Sequence, residues 1–143
     1  MKLSGHDSVT FLLVLIAVSV LVFQGYLLML RITPPMKYVS VTTQTPQVRE
    51  GDRLELTFIV ERSRICKTTL NRFITAEQGN EIVWRESVVG GLGGVGKVTT
   101  TGKIQLPPKL TPGKYRFETL LYADCYEGQH TASHTPVLFE VVK

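Results

Sequence analysis

The residues with the widest chemical reach in this chain are Cys66, Cys125, Asp124, Glu127, His130 and His134. Two cysteines and two histidines could make a tetrahedral zinc set. Such sites usually contain a close C-x-x-C pair, but here the spacing is C-x4-H-x3-H, with Cys66 far upstream. A Cys125 thiolate with His130 or His134 as base would be a nucleophilic pair, but it needs a free thiol and an oxyanion-binding element. A bond between the two cysteines would remove both possibilities. Asp124 and Glu127 read as solvated acids, and His130 and His134 as solvated residues of a loop between the last two strands. No catalytic, metal or cofactor-binding residue is assigned, and no enzyme activity is expected.

The stretch Gly91-Leu92-Gly93-Gly94-Val95-Gly96-Lys97 has the glycines and lysine of a phosphate-binding loop. That mechanism needs Ser or Thr directly after the lysine and a helix N-terminus beneath the phosphates. Val98 stands there instead, and Val98-Thr99-Thr100-Thr101 is β-branched and strand-like. The stretch reads as a flexible glycine-rich loop between strands, around residues 90–96, able to reorganise against a partner.

A third group points to binding. Arg62, Arg64, Lys67 and Arg72 crowd one segment, and Tyr122, Asp124, Tyr126, Glu127 and His130 crowd another. Loops at the end of a β-sandwich are common contact surfaces. Arg62, Arg64, Lys67, Tyr122, Asp124, Tyr126, Glu127 and His130 are the candidate partner contacts. The chain carries 16 basic and 12 acidic residues, a net +4. From Arg31 onward the balance is 15 to 11 once Lys2 and Asp7 are set aside. This mild excess, without a basic stripe, does not suggest a nucleic-acid domain.

Two kinds of element must position these groups. Val9 to Leu30 is uncharged and apolar all round. Its length of about 33 Å as a helix fits a hydrocarbon core. Ala17-Val18-Ser19 would suit signal-peptide cleavage, but the apolar run continues well past it. The expected division is a short tail 1–8, a transmembrane helix 9–30, a linker 31–36 and a β domain 37–143. Flanking charges nearly balance and leave the orientation open. Gln24 is one neutral amide in the helix, a weak signal for oligomerisation.

After Pro34-Pro35 the period becomes two. Leu54, Leu56, Phe58 and Val60 alternate with Glu55, Thr57 and Glu61, which means one buried face and one wet face. Seven strands are expected: 37–43, 53–61, 70–76, 81–86, 98–106, 114–125 and 136–142. Turn signals lie at Gly51-Asp52, Gln78-Gly79-Asn80, the glycine run and Pro112-Gly113. This spacing suggests an all-β, seven-stranded immunoglobulin-like or fibronectin-like sandwich, with a small barrel as the rival.

Leu110-Thr111-Pro112-Gly113-Lys114-Tyr115 resembles the L-x-P-G-x-Y element that opens the sixth strand in many bacterial and fibronectin-like sandwiches. The resemblance covers six residues. It implies that Pro-Gly turns the chain between sheets, and that Tyr115 packs inward with its hydroxyl on nearby backbone. Antibody domains differ, because their corner Tyr lies two residues before the second Cys and Tyr115 lies ten before Cys125. Trp84 falls on the fourth expected strand, whereas antibody domains keep theirs on the third.

In such a sandwich the second and sixth strands run the same way on opposite sheets, so Cys66 and Cys125 lie at one end and are expected to form a disulfide. That bond would place the domain in an oxidising compartment and the N-terminus in the cytoplasm, with the helix an uncleaved signal anchor. The compartment is the periplasm for a bacterium or its phage, and the lumen or cell exterior for a eukaryote. The absence of an N-x-S/T sequon leans towards the former. The expected function is a membrane-anchored protein-interaction module of the cell envelope, binding through the loops at one end. The alternative is a structural subunit of a larger assembly: a phage virion, a secretion apparatus or a membrane complex.

Overall fold

The computed structural model describes residues 5–90 and 94–143. Gly91, Leu92 and Gly93 of the expected glycine-rich loop lie outside the described residues. The chain divides into two units, one ending at Thr33 and the other beginning at Pro34. The first is α1 (Gly5–Ile32), longer at both ends than the apolar run alone. Ser19 is accommodated by donating its hydroxyl to the Leu15 carbonyl at 2.8 Å. The Thr33 amide closes the last turn on Met29. Pro34 and Pro35 have no amide hydrogen and cannot continue the helix. Ser8–Ile32 is long and apolar enough to cross a membrane, and its side chains are not buried against protein.

The second unit is β throughout. Its strands are β1 (Met36–Thr43), β2 (Gln47–Arg49), β3 (Arg53–Arg62), β4 (Lys67–Ala76), β5 (Ile82–Val89), β6 (Gly96–Gln105), β7 (Gly113–Cys125), β8 (Gly128–Ser133) and β9 (Val137–Val142). One sheet has the order β1-β3-β6. The other has the order β2-β9-β7-β4-β5, with β8 pairing the remaining length of β7. Every pair is antiparallel except β2 with β9, so the second sheet is mixed.

The described residues thus form nine strands, two more than expected. β2 is only three residues long, too short for alternation to register. β8 follows a two-residue turn, Tyr126-Glu127, which lacks the Asn-Gly or Asp-Gly signature of a tight hairpin. Gly128, with φ at +138°, provides the backbone freedom on its far side. His130 therefore lies in a strand paired with Ala123, which corrects the expected loop at that residue, whereas His134 does lie in the connection between β8 and β9, half-buried.

Alternation places the core where the sequence pattern located it. Leu54, Leu56, Phe58 and Val60 of β3 face Tyr115, Phe117, Leu121 and Ala123 of β7, all buried. Each large apolar side chain buried this way contributes roughly 1.5–3 kcal/mol. Phe58 and Phe117 meet edge-to-face across the layers, with centroids 6.3 Å apart. Tyr115 packs inward, and its hydroxyl donates to the Thr111 carbonyl at 2.7 Å. This is the arrangement that the six-residue resemblance implied.

Register shows which loops share an end. Met36 pairs with Arg62, and Arg62 with Gly96. Lys67 pairs with Asp124, Thr69 with Val89 and Cys125 with Gly128. The Ser63 amide donates to the Pro35 carbonyl at 2.9 Å. The β3–β4, β5–β6 and β7–β8 connections therefore lie together, at the end where the chain enters the domain.

Candidate functional site

Cys66 and Cys125 are joined by a disulfide, with Cα atoms 4.9 Å apart. The bond ties the start of β4 to the end of β7, and both cysteines pack against the core. Beside it, the two-residue turn drives Glu127 inward. The Glu127 side chain is 4% exposed, and its Oε1 lies 2.6 Å from Arg64 Nη2 and 3.3 Å from His130 Nε2. The same turn throws Tyr126 outward to 90% exposure, and Ile65 on the facing loop is 73% exposed. The structure therefore sorts the candidate contacts. Lys67, Asp124 and Tyr126 are exposed, Arg64, Tyr122 and His130 are half-buried, and Arg62 and Glu127 are buried. Arg62 continues the inward phase of β3 and turns its side chain away from solvent.

Cys125, Glu127 and His130 bring possible metal-ligand atoms within 4.8 Å of one another. In the disulfide the Cys125 sulfur is no thiolate, and thiolate is the form that binds metal. His134 does not join this group. Its ring lies 6.1 Å from Phe117, stacked, and 5.2 Å from Tyr38, edge-on. The cluster locks the end of the domain and supplies no nucleophile.

His134 bears on pH instead. Nδ1 lies 2.6 Å from the Thr135 carbonyl and donates to it. Burial holds the imidazole below its ordinary pKa, opposed by that carbonyl and by Glu118. The unfolded chain therefore binds a proton that the folded chain resists. The stability from neutral His134 is complete above about pH 6.5 and is lost as pH falls through the depressed folded value. Urea unfolding between about pH 7.5 and 5 should show this decline, and His134→Phe should flatten it. An unchanged slope in the variant would assign the decline to other groups.

A second region was not legible in the sequence. The layers part between the edge strands β5 and β6. Val98, Thr100 and Gly102 point inward from β6 without being buried, unlike their β3 partners Val60, Phe58 and Leu56. Facing them is Arg72, in the inward phase of β4 between Leu70 and Ile74. Arg72 Nη1 is held 3.1 Å from Glu86 of β5. The Tyr38 hydroxyl, near Thr119 and Arg72, is pushed up in pKa by burial, against the opposing influence of those two groups. A cavity of about 40 Å³ lies behind this opening, lined by Tyr38, Phe58, Val60, Leu70, Arg72, Val98, Thr100 and Gly102. It is far below ligand size, so the opening is not a small-molecule pocket. A charged pair in an inward register is costly to bury dry, which is a physical reason for the layers to stay apart here.

No protein-family model and no curated protein matches this chain. Solved structures do resemble it. The C-terminal domain of Wzt superposes with a TM-score of 0.57 at 11% identity, over 78% of this chain and 75% of that one. The alkylpurine DNA glycosylase AlkC of Pseudomonas fluorescens, solved with DNA containing an abasic-site analogue, gives 0.50 at 14% identity. That match covers 78% of this chain but only 31% of the glycosylase chain. Likeness at such identities is a likeness of fold, and it brings neither activity nor ligand with it.

Proposed function

We propose that this protein is a membrane-anchored interaction module. α1 spans the bilayer from a cytoplasmic N-terminus, and the domain is an immunoglobulin-like sandwich in the periplasm or outside the cell. The disulfide supports the oxidising side, because such bonds persist there and are rare in the cytosol. The sandwich reading is supported by β3 and β7, which run in the same direction in different sheets and lead to the bonded cysteines. The Tyr115 corner supports it as well.

The site of binding moves from the loops to the open side. The observation that carries this is the parting of β5 from β6 around the Arg72–Glu86 pair. Among the described residues, β6 has no strand on its outer side, so its backbone can pair with an extended segment of a partner protein. Val88, 38% exposed, and the inward residues Val98 and Thr100 offer side-chain contact beneath such a segment. The alternative, a structural subunit, would use the same edge between neighbours.

A photo-crosslinking residue at Thr100 or Val88 of the full chain in cells should trap one discrete protein, and one at Leu138 should not. Leu138 serves as control because it is exposed on β9, away from this side. Arg72→Ala should abolish the adduct. Equal trapping at Leu138, or none at Thr100 and Val88, would remove the open side as the binding surface.

A further inference from the structure

We infer that the disulfide-bonded end of the domain rests on the lipid headgroup layer of the membrane in which α1 is set. This rests on the anchor reading above and adds a second surface to it.

The covalent link limits where the domain can go. Ile32 ends the helix and Met36 begins β1. The intervening chain spans at most about 14 Å when extended. If α1 ends at a bilayer surface, the end of the domain that holds Met36 is the end next to that surface. Register places Ile65, Val89, Val95 and Tyr126 at this same end.

These four apolar side chains are 73%, 68%, 59% and 90% exposed. They come from three connections, so the apolar exposure is spread across this end and is not one stray loop. At the opposite end two comparable residues, Ile82 and Leu138, lie at one register level. Tyr is at home at the membrane–water boundary, with its ring in the apolar layer and its hydroxyl among headgroups. The disulfide and the Arg64–Glu127–His130 cluster hold Tyr126 and Ile65 on a stiff base, so little freedom is lost when they insert.

Charge agrees in sign. At this end the cations Lys37, Arg62, Arg64, Lys67 and Lys97 face the anions Glu61, Asp124 and Glu127, five against three. The opposite end has Arg49, Arg53, Lys109, Lys114, Arg116 and Lys143 against Glu50, Asp52, Glu77, Glu81 and Glu140, six against five, a smaller excess. Exposed Lys67 and Lys97 can reach headgroup phosphates while the apolar residues insert between them. Seating this end on the lipid leaves the β5–β6 opening facing sideways, free for a protein.

The test uses the full chain reconstituted in vesicles whose acyl chains are brominated near the headgroup. Bromine quenches only tryptophan that enters the bilayer. Trp84 is the single native tryptophan. It lies five residues from Val89 along β5, about 17 Å from the proposed lipid-facing end. The wild-type chain should therefore keep its emission. A chain carrying Trp84→Phe and Tyr126→Trp should shift to the blue and lose about half of its emission. Adding Ile65→Glu should restore most of it. If alkaline washing strips the chain from the vesicles, the anchor reading fails and the inference falls with it. If the chain stays in the bilayer and the doubly substituted chain is quenched no more than the wild type, the anchor stands and the lipid contact is wrong.

Discussion

Replacing Cys66 and Cys125 together by alanine is expected to lower the unfolding free energy of the domain by about 4 kcal/mol. The bond spans 59 residues, and closing a loop of that length removes conformational freedom chiefly from the unfolded chain. The native side loses little, since two small sulfur-bearing side chains at the margin of the core become two methyl groups. For a domain of this size the loss corresponds to a melting midpoint lower by about 15–25 °C. Calorimetry of the full chain in mild detergent measures it, and a reducing agent on the wild type should reproduce most of it. A fall below about 1 kcal/mol would mean that β4 and β7, paired along ten residues, already hold this end without the bond.

The strands that could be read in advance are those where side-chain type and phase agree. β3 and β7 alternate apolar with polar along their length, and their buried residues are the ones the alternation marks. Tyr115 was legible because Pro112-Gly113 constrains the backbone before it. The shared end of Cys66 and Cys125 followed from topology, and the bond confirms it. What escaped was every place where a polar residue sits in an inward phase. Arg62, Arg72 and Thr119 look like surface residues by type, and their environments depend on the facing sheet. Glu127 escaped for a related reason. Its burial depends on a two-residue turn that carries Tyr and Glu, and no local rule requires that turn. That the β3–β4 connection lies beside the start of β1 follows from the β1–β3 register, which the sequence pattern does not contain.

Glu127→Ala is the second large effect, expected at about 2 kcal/mol. Removing one partner of a buried pair costs roughly 3–5 kcal/mol when the other charge is left stranded. Here the cost is reduced, because the Arg64 side chain is 20% exposed and can swing towards water. His130, at 13%, has less room to turn away. A double-mutant cycle separates this cause from simple cavity formation. If the carboxylate acts through Arg64, Glu127→Ala should cost at least about 1 kcal/mol less in an Arg64→Ala background. Additive losses would show that Glu127 acts by filling space. The same variant bears on the lipid contact. Glu127 and Tyr126 form one two-residue turn, so a side chain that fixes Glu127 inward also fixes Tyr126 outward. Added to the chain carrying Trp84→Phe and Tyr126→Trp, Glu127→Ala should therefore weaken its quenching even at temperatures where the domain stays folded. An alanine chain folded and quenched like its parent would show that the turn keeps its shape through backbone pairing of β7 with β8 alone.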